Sequence, residues 1–346
     1  MTSPSEWERR EQRLSQLQKD PYRPPWWMGN QHLQTMWGPF VRGYYTTGQR
    51  RIWHWQTPDN DTLQLYWEEG DEDKPLVLLL HGLEGSATST YIGGLNEAFK
   101  ALGWNVLALE FRSCSGRLNR AKRLYHTGET TDLDFVVREI GRRFPGRRLY
   151  IAGVSLGGNV LGKWMGEQGD EIPGHVAGGG SISSPFDLTI SGPHIDRVLF
   201  GVYVRRFLKT LIPKALGKAK QYPGWLEAEK IRRSTTFEEF DTWATAAAHG
   251  FEDAWDYWQK CGCGQYLSNV RCPLLLVASA DDPFNPGSTL PRKVAAKSSW
   301  LYPLFTEKGG HVGFVSGSTP FHVRYWAEDK VVDFFQMLED DVEGSR

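Results

Sequence analysis

Short apolar runs alternate with stretches of helical periodicity from Pro75 onward, and this alternation limits the fold of the chain more than any other feature. Runs that are apolar at successive positions are typical of strands buried on both faces of a parallel sheet, with helices crossing over between them. A preceding hairpin with a turn at Pro58-Asp59-Asn60-Asp61 adds two strands. The eight predicted strands are residues 51–56, 62–67, 76–80, 105–111, 149–154, 176–183, 273–280 and 301–305.

The connections between these strands indicate a single large α/β core with an insertion. The connection between the sixth and seventh strands is too long for a crossover alone and predicts an inserted helical cap at 185–270. The core is then expected at 51–184 and 271–346, with residues 1–50 as an arm that packs on it. Helical patterns outside the cap are found at residues 91–102, 133–144, 159–166 and about 324–338.

The composition argues against several classes of protein. The chain has 40 Lys and Arg against 41 Asp and Glu, so its net charge of −1 gives no overall attraction to nucleic acid. Its longest purely aliphatic run, residues 76–80, is far shorter than the ~20 residues that cross a bilayer. The N-terminus lacks the apolar core of a secretory signal. We therefore expect a cytoplasmic protein that is neither integral to a membrane nor secreted.

Neither the cysteines nor the histidines form a pattern typical of a metal site. Cys261 and Cys263 have no second ligand pair nearby for tetrahedral coordination. Together with Cys114 and Cys272 they are expected to be reduced structural thiols. The nine histidines are scattered and contain no H-E-x-x-H motif. We predict neither a metal nor a cofactor.

The motif Gly153-Val154-Ser155-Leu156-Gly157-Gly158 follows a predicted strand and opens a helix. A strand-to-helix turn this tight exposes the serine hydroxyl at the carboxyl edge of the sheet, beside a helix N-terminus that favours negative charge. A serine that only caps a helix would not need glycines two residues to either side. A dinucleotide-binding loop would need an acidic residue after the next strand, where Ser183-Ser184-Pro185 stands instead. The motif therefore favours Ser155 as a nucleophile.

A nucleophilic serine needs a histidine as base and a carboxylate that orients the histidine, and candidates for both follow later strands. Asp281 and Asp282 come after the seventh predicted strand, and His311 comes after the eighth. Because these strand ends share one edge of the sheet, their side chains are expected to converge. We interpret Ser155, Asp282 and His311 as a candidate triad, with Asp281 as the alternative acid.

The transition state of acyl transfer also needs hydrogen-bond donors for an oxyanion. The amide of Leu156 adjoins the candidate nucleophile, and Gly82 lets the chain turn so that the amide of Leu83 points inward. We therefore predict an oxyanion hole formed by the backbone N–H groups of Leu83 and Leu156.

From about residue 22 the chain resembles the α/β-hydrolase superfamily and, within it, the YheT-like branch of predicted esterases. The resemblance implies an eight-stranded, mostly parallel sheet flanked by helices, a triad at Ser155, Asp282 and His311, and hydrolysis of esters or lipid esters. Pro286, four residues after Asp282, matches the usual loop shape of the superfamily and favours Asp282 over Asp281. Apart from the triad loops, the resemblance is carried by His32-Leu33-Gln34-Thr35, His81-Gly82-Leu83-Glu84-Gly85-Ser86, Phe111-Arg112-Ser113-Cys114-Ser115-Gly116 and Tyr125-His126-Thr127-Gly128-Glu129-Thr130 with Asp132.

The chain departs from similar proteins at Cys261-Gly262-Cys263, where they tend to carry small polar residues. This departure leaves the substrate preference open. We expect a serine hydrolase that cleaves short- to medium-chain acyl esters or lipid esters through an acyl-enzyme, with aromatic side chains lining an apolar acyl pocket. An acyltransferase or a thioesterase would use the same triad, and a catalytically inactive binding module is the alternative from another class.

Two further features have less direct interpretations. Residues 197–220 carry seven basic side chains interleaved with apolar ones and no acid, which is typical either of a lid over the site or of a segment that contacts anionic lipid at a membrane surface. His126 and Glu129 precede a predicted helix and are expected to cap it and order the loop. His32 lies in the N-terminal arm and is assigned no chemistry.

Overall fold

The computed structural model describes residues 5–42 and 50–343, which surround an eight-stranded sheet. The order is β1-β2-β4-β3-β5-β6-β7-β8, and β2 is antiparallel to both neighbours while the other pairs are parallel. The eight predicted strands are confirmed, each within one residue at either end. Their bounds are β1 Arg51–Gln56, β2 Thr62–Glu68, β3 Leu76–Leu80, β4 Asn105–Glu110, β5 Leu149–Val154, β6 Val176–Ile182, β7 Leu274–Ser279 and β8 Leu301–Thr306.

Helices cover both faces of this sheet and continue into a separate group after β6. Those outside the group are α1 Glu6–Leu17, α2 Gln31–Phe40, α3 Thr90–Ala101, α4 Thr131–Arg143, α5 Leu156–Gln168, α12 Arg292–Ala295 and α13 Trp326–Glu343. Those between β6 and β7 are α6 Leu188–Arg197, α7 Val202–Gln221, α8 Ala228–Arg233, α9 Phe237–Phe240, α10 Ala247–His249 and α11 Ala254–Cys261. A π-helical turn, Asp241–Ala246, joins α9 to α10.

Alternate residues of the central strands enter two hydrophobic cores. Leu78 of β3 packs on one face with Leu133 of α4 and Trp164 of α5. Leu79 packs on the other face with residues of α1, α3 and α13, among them Phe335. Because side chains of a strand alternate between faces, a run of five leucines and valines supplies both cores at once. This two-sided burial explains why the strands could be found from continuous apolar runs.

The helices between β6 and β7 form a third hydrophobic core of their own, which lies over the carboxyl edge of the sheet. The predicted helical insertion after strand six is therefore confirmed, and we refer to residues 185–270 as the cap. The limits of the cap and of the core segments remain a proposal. Residues 344–346 of the proposed core lie outside the described residues.

Two elements differ from the sequence-based expectation. The sequence predicts a loop between the eighth strand and a closing helix that begins at about residue 324, but residues 315–325 contain a hairpin of β9 Val315–Thr319 and β10 His322–Tyr325, and the helix begins at Trp326. The segment around residues 26–37 has no clear period, yet its second half is helix α2, begun by Asn30, whose side chain accepts from the amides of His32 and Leu33. Both elements are stabilised by tertiary contacts, which leave no periodic pattern of apolar residues in the sequence.

The N-terminal arm contacts the core through α1. Leu14 and Leu17 are buried beside α13, and the Arg10 guanidinium donates to the carbonyl oxygens of Leu301 (2.8 Å) and Ala295 (3.1 Å). Parts of the proposed arm, residues 1–4 and 43–49, lie outside the described residues. In the described ranges, no helix combines the length and the apolar character needed to cross a bilayer.

Candidate active site

Ser155 lies in the tight turn between β5 and α5, with a left-handed φ of 55° and ψ of −116°. The flanking glycines make this turn sterically feasible. A Cβ on Gly153 would lie 2.3 Å from the carbonyl oxygen of Gly157, and a Cβ on Gly157 would lie 2.5 Å from that of Leu80. The backbone of a non-glycine residue is held in such a conformation only where the surrounding structure imposes it. The turn thus projects the hydroxyl away from the sheet, as the motif predicts.

The structure brings the three candidate triad residues into one hydrogen-bonded chain. His311 Nε2 is 2.9 Å from Ser155 Oγ, and His311 Nδ1 is 2.8 Å from Asp282 Oδ2. Asp282 follows β7 and His311 follows β8, so from neighbouring strand ends His311 reaches Ser155 and Asp282 reaches His311. A carboxylate can only accept here, so Nδ1 carries the proton and Nε2 is free to accept the serine hydroxyl. This is the arrangement in which a histidine can act as a base toward serine.

Hydrogen bonds from its own loop hold the Asp282 carboxylate in place. Oδ1 accepts from the amides of Phe284 (2.7 Å) and Asn285 (3.1 Å), and Oδ2 accepts from Asn285 Nδ2 (3.2 Å). Asp281 instead accepts from the amide of Gly310 through Oδ1 (2.9 Å). Of the two adjacent acids, the structure therefore places Asp282 against the histidine, and Asp281 supports the loop that carries it. Asn285 was missed in the sequence analysis.

Helix α2 positions the loop of His311, a role that the sequence analysis did not assign to the N-terminal arm. Thr35 Oγ1 accepts from the amide of His311 (2.9 Å), and Gln34 Oε1 accepts from the amide of Val315 (2.8 Å). A Cβ on Gly310 would lie 2.6 Å from the carbonyl oxygen of Gln31, so the loop and the helix are in close contact. The one sequence signal for this contact is the motif His32-Leu33-Gln34-Thr35, which carried part of the resemblance.

The loop after β3 lies against Ser155 on the opposite side. A Cβ on Gly82 would be 3.2 Å from Ser155 Cβ, and the amide of Gly82 donates to the Tyr91 hydroxyl (3.0 Å). His81 stabilises this loop: its Nε2 accepts from the amide of Phe111 (3.1 Å), so its Nδ1 donates to the Gly82 carbonyl (2.8 Å). Burial lowers the pKa of His81 to about 4, so its imidazole is neutral at pH 7.

The predicted oxyanion donors adjoin this contact. Within the described ranges, no hydrogen bond engages the amides of Leu83 and Leu156. Leu83 follows Gly82, and Leu156 is the first residue of α5, where the helix dipole adds positive potential. Both N–H groups are thus available to a ligand next to Ser155.

Glu84 connects the loop after β3 to the cap. Lys214 Nζ of α7 donates to Glu84 Oε1 (2.7 Å), and the Tyr125 hydroxyl donates to the same oxygen (2.6 Å). The Glu84 amide in turn donates to the Tyr125 hydroxyl (3.0 Å). The ion pair of Lys214 with Glu84 is mostly shielded from solvent, and this burial strengthens it relative to an ion pair on the surface. The position of the Leu83 amide is therefore coupled to the position of α7.

A cavity between the sheet edge and the cap reaches Ser155 and His311. Its walls are mainly apolar and aromatic, and the ring of Phe284 lies 4.2 Å from the ring of His311 between centroids. Such a cavity suits an apolar portion of a ligand whose reacting group lies beside Ser155 and His311. The Phe, Tyr and Trp residues that line it are Tyr125, Phe207, Phe237, Phe240, Tyr257, Trp258 and Phe284.

The structure also brings together His126, Glu129 and His249, whose candidate ligand atoms lie within 4.8 Å of one another. These atoms are already engaged. His126 Nδ1 accepts from the amide of Gly128 (3.2 Å), and His249 Nε2 accepts from that of Leu124 (3.3 Å). Since the neutral imidazole of His126 then carries its proton on Nε2, that nitrogen has no lone pair for a metal.

The carboxylate of this group is engaged as well. Glu129 forms an ion pair with Arg123, and its Oε1 accepts from the amide of Thr131 at the start of α4 (2.8 Å). The cluster therefore fits a loop support, as expected for His126 and Glu129, better than a metal centre.

Cys261 and Cys263 are buried in two different hydrophobic cores.

Comparison with known proteins places the chain in a family. The model of the alpha/beta hydrolase fold family matches residues 75–318. The Escherichia coli (strain K12) protein named "Putative esterase YheT" is 36% identical over 315 residues, which cover 88% of this chain and 90% of YheT. The chain therefore belongs to the α/β-hydrolase family, and the predicted resemblance to its YheT branch is confirmed.

Two further similarities are more distant. A mouse protein named phospholipase ABHD3 is 25% identical over 313 residues, covering 88% of this chain and 75% of that protein. Among solved structures, the Pyrococcus furiosus esterase Pf2001 superposes with a TM-score of 0.53 at 18% identity, covering 84% of this chain and 90% of the esterase. The latter similarity concerns the fold alone.

Proposed function

We propose that the protein is a serine hydrolase that cleaves carboxylic esters, with Ser155 as nucleophile, His311 as general base and Asp282 as the group that orients the histidine. The observation that carries this proposal is the continuous hydrogen-bonded chain Ser155–His311–Asp282, of which Ser155 and His311 line a mainly apolar cavity. The names of the relatives, esterase and phospholipase, support action on esters.

The geometry supports a two-step mechanism. His311 Nε2 accepts the hydroxyl proton as Ser155 Oγ attacks the ester carbonyl, and the amides of Leu83 and Leu156 donate to the oxyanion. The imidazolium then gives its proton to the departing alkoxide, which leaves an acyl-enzyme and a free alcohol. A water molecule, deprotonated by the same nitrogen, attacks the acyl-enzyme, and the imidazolium returns the proton to Ser155 Oγ as the acid is released. Asp282 stabilises the imidazolium in both steps.

The apolar lining supports short- to medium-chain acyl esters or lipid esters as the substrate class. Transfer of the acyl group to an alcohol, or hydrolysis of a thioester, would proceed through the same acyl-enzyme.

Labelling with a fluorophosphonate probe tests the proposal without knowledge of the substrate. We expect one covalent adduct, located on Ser155 by mass spectrometry, and no adduct in His311→Ala, because the hydroxyl is then no longer activated. The His311→Ala variant should retain the circular dichroism spectrum of the native protein. Absence of labelling in the native protein, also in detergent, would contradict the proposal and favour the inactive binding module.

The predicted membrane contact through residues 197–220 is retained as a proposal for the first half of that segment only. Lys214 pairs with Glu84, and Lys218 is fully buried, where it donates to the carbonyls of Asn119 and Ala121. The start of the segment is different. Arg197, Arg205, Arg206 and Lys209 are exposed, and the side chain of Phe200 is 94% exposed. Basic residues around an exposed aromatic side chain suit contact with anionic lipid.

Vesicle binding tests this contact. We expect binding to rise with the fraction of anionic lipid and to fall with salt, because the attraction is electrostatic. Phe200→Ser should weaken binding by about tenfold, since an exposed aromatic side chain gains most from entering the interface. Phe321→Ser is the matched control, since Phe321 is 92% exposed on the β9–β10 turn. Equal binding by the two variants, or no binding at any lipid composition, would refute the contact.

A further inference from the structure

The cavity above Ser155 contains polar side chains on its cap side that the proposed mechanism does not use. Ser191 of α6 lines the cavity and is 4% exposed, and its Oγ has no hydrogen-bond partner among the described residues. Buried hydroxyl groups are normally hydrogen-bonded, because burial without a partner is unfavourable. The Ser191 hydroxyl is therefore available to form a hydrogen bond with a ligand in the cavity.

Asp241 and Thr245 line the same cavity from the π-helical turn. Asp241 Oδ2 accepts from Trp258 Nε1 (2.8 Å), and Oδ1 accepts from Thr245 Oγ1 (2.8 Å). Each carboxylate oxygen can accept a second hydrogen bond. In the described ranges no Lys or Arg side chain forms an ion pair with Asp241, and burial raises its pKa to about 6. Asp241 is therefore an acceptor with unused capacity in a largely apolar wall.

Trp258 lies against both α6, at the residue after Ser191, and Asp241. A Cβ on Gly192, the residue after Ser191, would lie 2.7 Å from Cζ2 of the Trp258 indole, and the indole N–H donates to Asp241. The α6 backbone and the Asp241 carboxylate thus contact the same side chain. We call Ser191, Asp241 and Thr245 the polar subsite.

We propose that the polar subsite binds a hydroxyl group of the substrate, carried on the chain that occupies the cavity and separate from the ester that is cleaved. The inference rests on the proposed ester hydrolysis. A hydroxyl can accept from the Ser191 O–H and donate to Asp241, which matches both groups. An alkyl chain end would leave Ser191 unpaired. An ammonium group could donate to Asp241 and to the Ser191 oxygen, but it would leave the Ser191 hydrogen unpaired, so a hydroxyl satisfies the two side chains more completely.

Paired ester series test the proposal. In one series, methyl esters of alkanoic acids with four to twelve carbons are compared with the corresponding ω-hydroxy esters. In the other, alkyl acetates are compared with ω-hydroxyalkyl acetates. Because a site built to bond a hydroxyl discriminates against the analogue without it, we expect at least about a tenfold higher kcat/KM for the hydroxylated member at one chain length in one series. The series in which this occurs identifies the side of the ester that enters the cavity.

The readout that identifies the polar subsite is the ratio of kcat/KM within such a pair. Ser191→Ala should lower this ratio, because one of the two hydrogen bonds to the substrate hydroxyl is lost, whereas Ser234→Ala, a matched change elsewhere in the cap, should not alter it. If hydroxylated esters have no advantage at any length, or if ω-amino esters are preferred to them, the polar subsite does not bind a hydroxyl. If no ester is cleaved and the fluorophosphonate does not label Ser155, the proposed function fails instead.

Discussion

Replacing Ser155 with alanine is expected to lower kcat/KM for the best ester by about 10⁴-fold or more. The variant loses the atom that forms the acyl-enzyme, so that His311 has only water to activate, and the oxyanion donors alone support residual turnover. Binding of substrate should change much less, because the apolar cavity is unaltered. Steady-state kinetics on p-nitrophenyl esters of increasing chain length would measure the effect.

The fold should tolerate this change. Alanine can adopt the backbone of Ser155 as well as serine can, and the glycines that permit the turn are retained. We therefore expect a thermal unfolding midpoint within a few degrees of the native value. Ser86→Ala, in the loop after β3, is a control that should retain activity within about tenfold. If Ser155→Ala kept more than a tenth of the native kcat/KM, another nucleophile would have to be responsible.

Asp282→Asn is expected to lower kcat by about 10³- to 10⁴-fold at neutral pH. The asparagine preserves the shape of the side chain, but its amide can direct an N–H toward His311 Nδ1. The histidine then holds its proton on Nε2 and cannot accept the proton of Ser155. The loss of negative charge also removes the group that stabilises the imidazolium. A pH–rate profile together with kcat would measure both consequences.

The adjacent acid provides a matched control for this experiment. Asp281 accepts from the Gly310 amide through one oxygen, and an asparagine oxygen can do the same. Asp281→Asn should therefore reduce kcat by less than about tenfold, although it can lower the unfolding midpoint. Equal losses in the two variants would mean that the loop as a whole, rather than the Asp282 carboxylate, supports catalysis.

The candidate site depends on segments that lie far from the triad in the chain. Helix α2 holds the backbone of His311 through Thr35, and α7 of the cap holds the loop of Leu83 through Lys214 and Glu84. The candidate base and one candidate oxyanion donor are thus each supported by an element outside the sheet.

Several features of the protein could be predicted because they depend on local sequence. Strands β3 to β8 follow from short apolar runs, and β1 and β2 follow from strand-like runs joined by a hairpin turn. Ser155 stands out because only a tight turn after a strand requires glycines at both Gly153 and Gly157. The candidates Asp282 and His311 follow from their positions after later strands, since parallel strands end at one edge of the sheet.

Other features were decided only by tertiary structure. Asp281 and Asp282 are chemically identical neighbours, and the hydrogen bonds of the folded loop direct only Asp282 to the histidine. Lys218 looks like a solvated cation in the sequence, but the fold buries it against carbonyl groups. The sequence by itself thus determined the sheet and the candidate nucleophile through periodicity and steric demand, whereas the partners of polar side chains depend on contacts between residues distant in the chain, which leave no periodic signal.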